Sequence, residues 1–311
     1  MKNLVTGGCG FIGSNLIDRL LKNGEFVLCI DDLSSGKTKN IKGFVKNKKF
    51  KFIKHDIIYP LKSNIKIDRI WHLACPASPV IYQLNPIKTS KVNFEGTLNI
   101  LEFARKNKSK ILFASSSEVY GDPKNHPQKE EYYGSVNPIG IRSCYDEGKR
   151  IAESLCFDFH RNYNLEISVA RIFNTYGTKM SLNDGRVISN FIYQSLQKKP
   201  LTIYGKGNQS RSFCYIEDLV DGLIKLMNSD QTGPINLGNP EEITIMNLAH
   251  LISGKVGNIL QYEEMSLPKD DPIKRKPDIN KAIYSIGWRP NYSLSQGLDL
   301  TINYFKRILK S

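Results

Sequence analysis

No apolar run in this 311-residue sequence is longer than a strand, far short of the roughly 20 residues that span a bilayer. MKNLVTGG enters a strand directly, with no signal-peptide h-region, so a cytoplasmic protein away from membranes is expected. Cysteine is sparse. The six, at 9, 29, 75, 144, 156 and 214, form no CxxC and no metal-like pairing, which excludes a disulfide miniprotein and reads as reduced, mostly buried thiols. The five histidines, at 55, 72, 126, 160 and 250, are equally scattered, so structural roles and no metal site are expected. There is no internal repeat and no low-complexity linker, which excludes a solenoid.

Acidic residues are outnumbered. Forty-four Lys and Arg against 30 Asp and Glu leave a net charge of +14, so the surface favours anions: nucleic acid, acidic lipid or phosphorylated metabolites. Eight of the 18 residues from Lys37 to Lys54 are lysine. A run of that kind is ordinarily a solvated face, and nucleic acid is the minor reading. The apolar share of 40 % lies just under the usual globular level of roughly 45 to 50 %, so a folded chain is expected.

Lys2–Thr6 is a short apolar run ending in glycines, after which Ile12, Leu16 and Leu20, with Ile17 and Leu21, recur at helical spacing until Asn23-Gly24 stops them. Further strands are expected at 25–31, 50–55, 69–73, 110–115 and 166–172, with helices at 86–106 and 145–163. This alternation predicts an α/β fold: a Rossmann doubly wound parallel sheet with a smaller, mixed α/β C-terminal substrate domain. Beyond about residue 175 the elements shorten and loops such as NDGR (183–186) and LPKDDPIKRKPD (267–278) intervene. We expect residues 1–175 as the dinucleotide-binding domain, with 212–240 returning to it, and 176–211 with 241–311 as the substrate domain, packed around one cleft.

GGCGFIG places Gly7, Gly10 and Gly13 between the first strand and the first helix. Here Gly7 permits a tight turn, Gly10 the approach of a pyrophosphate, and Gly13 the packing of helix on strand. Asp31 stands 18 residues past Gly13, at the end of the second strand, where a carboxylate accepts hydrogen bonds from ribose hydroxyls and repels a 2′-phosphate. NAD is therefore expected over NADP; the plainer reading is a turn cap. Asp56 is a candidate partner for the adenine amino group, or equally a cap. Phe11 and Ile12 in the fingerprint, and Leu73 and Ala74 after the fourth strand, complete the expected cofactor contacts.

Tyr145 and Lys149 form YxxxK, which on a helix puts both side chains on one face. An ammonium near a phenol favours the phenolate and makes a better base. The motif alone is common; behind a dinucleotide fingerprint and a strand ending SSSEVYG, catalysis is the better reading.

These residues carry a resemblance. GGCGFIG, ASSSEVYGD (114–122), YDEGK (145–149) and ARIFNTYG (170–177) resemble the extended short-chain dehydrogenase/reductase superfamily of nucleotide-sugar enzymes. HLACPASP (72–79), NPIKT (85–89), VNPIG (136–140), NDGRV (183–187) and RKPDI (275–279) resemble its UDP-glucuronate decarboxylase branch, nearly end to end. The resemblance implies Tyr145 as base, Lys149 as its pKa partner and ribose ligand, and Ser116, where the family more often has Thr, on the sugar 4-OH. Ser117 stands where related dehydratases carry an acidic Asp, which argues against dehydration. Glu118 and Arg211 match groups the decarboxylases place around C5 and the departing carboxylate.

The resemblance further implies Arg186, Arg275 and Asn174 near the diphosphate, Tyr204 beside uracil, and Tyr82 at the glucuronate ring; the plainer reading of Tyr204 is an interior aromatic. Thr178-Lys179, Ser181-Leu182, Ile141 and Ser143 depart from the family's commoner residues. The implied reaction oxidises C4 of UDP-glucuronate, loses carbon dioxide and re-reduces C4 with the same cofactor, giving UDP-xylose. A UDP-sugar 4-epimerase would use the same core without Glu118 and Arg211, and a non-catalytic NAD-binding regulatory protein would have no use for Ser116, Tyr145 and Lys149. A homodimer through helices 86–106 and 145–163 is implied as well.

Overall fold

The apolar runs become parallel strands in a computed structural model that describes residues 1–182, 184–267 and 274–310. Asn183, which opens the NDGR loop, and residues 268–273 of the loop LPKDDPIKRKPD lie outside the described residues. The strands are β1 (Lys2–Thr6), β2 (Phe26–Asp31), β3 (Phe50–Lys54), β4 (Arg69–His72), β5 (Lys110–Ser116) and β6 (Ile167–Ile172). A further strand, Ile235–Leu237, pairs with β6, and the order across the sheet is 235–237, β6, β5, β4, β1, β2, β3.

Both faces are covered, which is why the strands are apolar throughout rather than alternating. On one face Val5, Val27 and Cys29 share a core with Leu16, Ile17 and Leu20 of α1 (Phe11–Lys22). On the other, Leu4, Leu28 and Ile70 meet Ile100 and Ala104. This is the expected doubly wound Rossmann sheet. Its order reverses between β1 and β4, and the carboxyl ends of strands at such a switch point frame a ligand crevice.

The expected helix over 86–106 is interrupted. The chain forms α2 (Pro79–Leu84), α3 (Pro86–Lys91), a π turn at Val92–Gly96 and then α4 (Thr97–Asn107). The wide turn accommodates Asn93, whose amide donates to the Thr89 carbonyl at 3.1 Å. Gly148 packs so tightly on it that a Cβ there would lie 2.6 Å from Asn93 Nδ2. A one-residue widening leaves the apolar pattern on both sides intact, so periodicity alone does not reveal it. The next helix, α5 (Ser143–Tyr163), starts two residues ahead of the expected 145 and buries Tyr145, Lys149, Ala152, Cys156 and Phe159 along one stripe.

Beyond β6 come α6 (Val187–Leu196), α7 (Ile216–Asn228) and α8 (Ile245–Val256). The strands 242–244, 210–212 and 274–275 form a small separate sheet in that order, with Arg275 directly opposite Arg211. That register sets two guanidinium side chains side by side on the cleft wall. Among the described residues no helix is long and apolar enough to cross a membrane.

Candidate active site

A single cleft of about 710 Å³ runs from the glycine loop to the small sheet. Its cofactor end is shaped by missing side chains. Gly7 has φ +69°, and a Cβ there would sit 2.9 Å from the Ala74 backbone; one at Gly13 would sit 2.3 Å from the Gly7 carbonyl oxygen. Any larger residue would therefore push the loop after β1 off the loop after β4, or α1 off the sheet. Phe11, Ile12, Leu73 and Ala74 line the same end, and α1 points its amino terminus into it, so the cradle fits a dinucleotide pyrophosphate.

Asp31 is buried at the end of β2, accepting hydrogen bonds from the Cys9 amide at 2.9 Å and the Leu33 amide at 2.8 Å. Burial pushes its carboxyl up while these amides pull it down. Each oxygen keeps a lone pair for a further donor. Asp56 lies on the cleft wall, accepts from the Ile58 amide at 3.2 Å and pairs with Lys88 at 2.9 Å. It thus makes the turn-cap bond and also faces the cleft.

At the centre, Ser116 ends β5 and its Oγ accepts from the Glu118 amide at 3.2 Å. Lys149 donates to the Ala114 carbonyl at 2.9 Å and stands 5.7 Å from the centre of the Tyr145 ring. Both side chains are buried. Burial pushes the Tyr145 phenol above the ordinary tyrosine range, with the Ser116 hydrogen bond working against it, and burial pulls Lys149 down. Desolvation thus outweighs the Ser116 hydrogen bond in the protein alone.

Tyr82, expected at the sugar ring, is not on the cleft wall. It stacks behind Tyr145, ring centres 5.0 Å apart and 7° from parallel, and its buried hydroxyl has no hydrogen-bond partner among the described residues. The physical reason is burial: the ring packs face to face on Tyr145 of α5 and is withdrawn from solvent.

The group that meets Glu118 is Arg275. Its Nη1 and Nη2 donate to Oε1 at 2.5 Å and Oε2 at 2.7 Å, while Arg142 Nη2 donates to Oε2 at 2.7 Å. Burial opposes ionisation, but Arg275 and Arg142 hold the Glu118 carboxyl down to about 2. Arg275, expected at the diphosphate, is therefore committed to the Glu118 carboxylate in this arrangement. Arg211 donates to the Ser210 carbonyl at 2.8 Å and lines the cleft beside Arg275. Arg186 pairs with Asp184, and Ser117, Asn174 and Tyr204 complete the wall, Tyr204 being exposed rather than interior. Arg142 and Asp146, which flank Tyr145, went unassigned in the sequence because nothing local distinguishes them from ordinary helix-start charges.

Residues 4–301 match the family model described as GDP-mannose 4,6 dehydratase. This chain is 50% identical over 307 residues to UDP-glucuronic acid decarboxylase 3 of Arabidopsis thaliana, covering 98% of this chain and 89% of that protein. It is equally identical over 307 residues to UDP-glucuronic acid decarboxylase 1 of Xenopus tropicalis, covering 99% and 72%. Among solved structures, it resembles a UDP-glucose 4-epimerase from Thermotoga maritima with UDP-glucose, at TM-score 0.92 and 30% identity over 99% of this chain and 100% of that one. A UDP-glucuronic acid 4-epimerase from Bacillus cereus, in complex with UDP-glucuronic acid and NAD, matches at TM-score 0.87 and 30% identity over 99% and 100%.

Proposed function

Because the chain belongs to the GDP-mannose 4,6 dehydratase family, in the branch of the UDP-glucuronic acid decarboxylases, we propose that it converts UDP-glucuronate to UDP-xylose and carbon dioxide with NAD. The observation that carries this reading is a Ser116, Tyr145, Lys149 set sharing one cleft with the Glu118–Arg275 pair. The first set suits removal of the 4-OH proton; the second presents charge where a carboxylate departs.

Gly7, Gly10, Phe11, Ile12, Gly13, Asp31, Asp56, Leu73 and Ala74 hold the cofactor in this scheme. NAD held there would supply a two-electron acceptor for C4 that is regenerated at the end, so no net oxidation would result. Tyr145 takes the 4-OH proton while Ser116 holds that oxygen, and Lys149 supplies the positive charge that favours the phenolate. With C4 a ketone, the C6 carboxylate is β to a carbonyl and the electron pair of the C5–C6 bond has an enolate to enter. Arg275 and Arg211 orient the carboxylate, and Glu118 keeps Arg275 aimed. Ser117, standing where a dehydratase would carry an acid, leaves the C6 group without a proton donor for dehydration. Asn174, Arg186 and Tyr204 take the UDP.

UDP-glucuronate added without NAD tests substrate and retained cofactor together. Stoichiometric carbon dioxide and a pentose nucleotide are expected. UDP-galacturonate as the sole product would replace this reading with a 4-epimerase, which the likeness to solved epimerases makes the alternative to watch.

We further infer residues 1–175 with 212–240 as the cofactor domain, a reading supported by the pairing of Ile235–Leu237 with β6, and 176–211 with 241–311 as the sugar-nucleotide domain. Exposed Ile87, Phe94 and Ile151 on α3, the π turn and α5 support a homodimer through those elements. Six free thiols support a reducing, cytoplasmic setting.

A further inference from the structure

Decarboxylation consumes a proton. The C5–C6 bond breaks, its electron pair enters the C4 carbonyl system, carbon dioxide leaves, and C5 must then gain one proton from solvent. The catalytic cleft offers poor donors: Glu118 is held by two guanidinium groups down to about 2, and Tyr145 has its own proton to return at C4.

Behind Glu118 lies a second, polar cavity of about 130 Å³, room enough for several waters. Its rim is made by exposed Asp122, Ser135 and Asn137, and its floor by Glu118, Arg142 and Asp146. Glu118 and Arg142 line this cavity and the catalytic cleft alike, so they form the partition between the two. The Asp146 side chain is 9% exposed, with Oδ2 3.7 Å from Arg142 Nε. Its Oδ1 is buried with no hydrogen-bond partner among the described residues, a costly state for a charged carboxylate and a cheaper one for a neutral carboxyl, while the residue itself lines the cavity.

We propose that this cavity is the proton entry of the reaction, with Asp146 holding the proton that reaches C5 through water passing Glu118 and Arg142. Asp146 touches no substrate; it is a positioning residue for the proton, recharged from solvent through the rim. The inference rests on the decarboxylase reading above. Burial and the charge of Glu118 push the Asp146 carboxyl up to about 7, against the pull of Arg142 and Arg275. The remaining titratable neighbours are Asp122 across the cavity, Tyr82 from α2, and Cys144 and Tyr145 on its own helix. None of them adds a cation to Arg142 and Arg275, so the carboxyl exchanges its proton around neutrality.

The test compares wild type, Asp146→Asn and Asp146→Glu by carbon dioxide release and kcat from pH 6 to 9, in H2O and D2O. Wild-type kcat is expected to fall above neutrality as the carboxyl ionises. Asp146→Asn should lose that limb, drop kcat by roughly tenfold to a hundredfold with KM nearly unchanged, and show a larger solvent isotope effect; Asp146→Glu should recover the limb. A purely structural role would move none of the last three. If Asp146→Asn fails to fold, the wild-type profile decides, and a profile flat across this range overturns the proposal. Wild-type protein that releases no carbon dioxide overturns the decarboxylase reading and the proton entry with it. Normal wild-type turnover alongside an Asp146→Asn variant with unchanged kcat and pH profile overturns the proton entry alone.

Discussion

Glu118 and Arg275 are 157 positions apart in sequence and joined by two hydrogen bonds of 2.5 and 2.7 Å. Such a fork-to-fork pair fixes the plane of both groups. Arg275 comes from a strand of only two residues, Lys274–Arg275, held parallel to Ser210–Ser212, so the pair also pins that strand to the cleft.

Replacing Arg275 should therefore have two separable effects. Arg275→Ala strands a buried carboxylate beside Arg142 alone and should cost about 3 to 5 kcal/mol of stability. Arg275→Lys keeps charge but loses the fork; it should remain folded while kcat/KM falls by roughly two orders of magnitude. Urea unfolding and steady-state kinetics on the two variants check both. A lysine variant with wild-type kinetics would remove Arg275 from the reaction.

Tyr145→Phe deletes the hydroxyl proposed as the base and keeps the ring that shapes the cleft. Turnover should fall by roughly two to four orders of magnitude, while UDP affinity and the amount of copurifying NAD stay near wild type. A rate within threefold of wild type, on the order of a trivial 0.6 kcal/mol, would assign the proton transfer elsewhere.

How much of this was legible beforehand depends on how local each feature is. The residues of the glycine loop lie within one strand–turn–helix and those of YxxxK within one helix, and both motifs line the cleft. Arg211 and Arg275 were each marked as candidates, but which of them meets Glu118 is decided by the register of a two-residue strand, a tertiary choice without local pattern. The direction of the Tyr82 ring is a tertiary choice too: an aromatic in a short helix reads alike whether it faces the cleft or the neighbouring ring. The π turn at Val92–Gly96 escaped notice because its cause, contact between Asn93 and Gly148, spans 55 positions.

The Tyr82–Tyr145 stack makes a stability prediction. Tyr82→Phe removes a buried hydroxyl without a partner and keeps the ring contact, so thermal stability should be unchanged or rise by about 1 kcal/mol. Tyr82→Ala opens a cavity against Tyr145 and should cost about 3 to 5 kcal/mol, with kcat falling as the base loses its platform. Differential scanning calorimetry on both variants, paired with kcat, tests whether the ring rather than the hydroxyl matters.

The two carboxyl groups around Arg142 give stability opposite slopes with pH. Glu118, lowered to about 2, binds its proton less readily folded than unfolded, where a glutamate sits near about 4.3. Its contribution is full above that value and lost as pH falls toward 2. Asp146, raised to about 7, binds its proton more readily folded than unfolded, where an aspartate sits near about 3.9. Its contribution is full below that value and lost as pH rises through 7. Asp146→Asn cannot ionise, so relative to wild type it should gain stability between pH 4 and 8, most at the alkaline end. Urea midpoints at pH 4, 6 and 8 measure this, and a difference between variant and wild type that stays constant across the three would show that Asp146 titrates in the folded protein as it does in the unfolded chain.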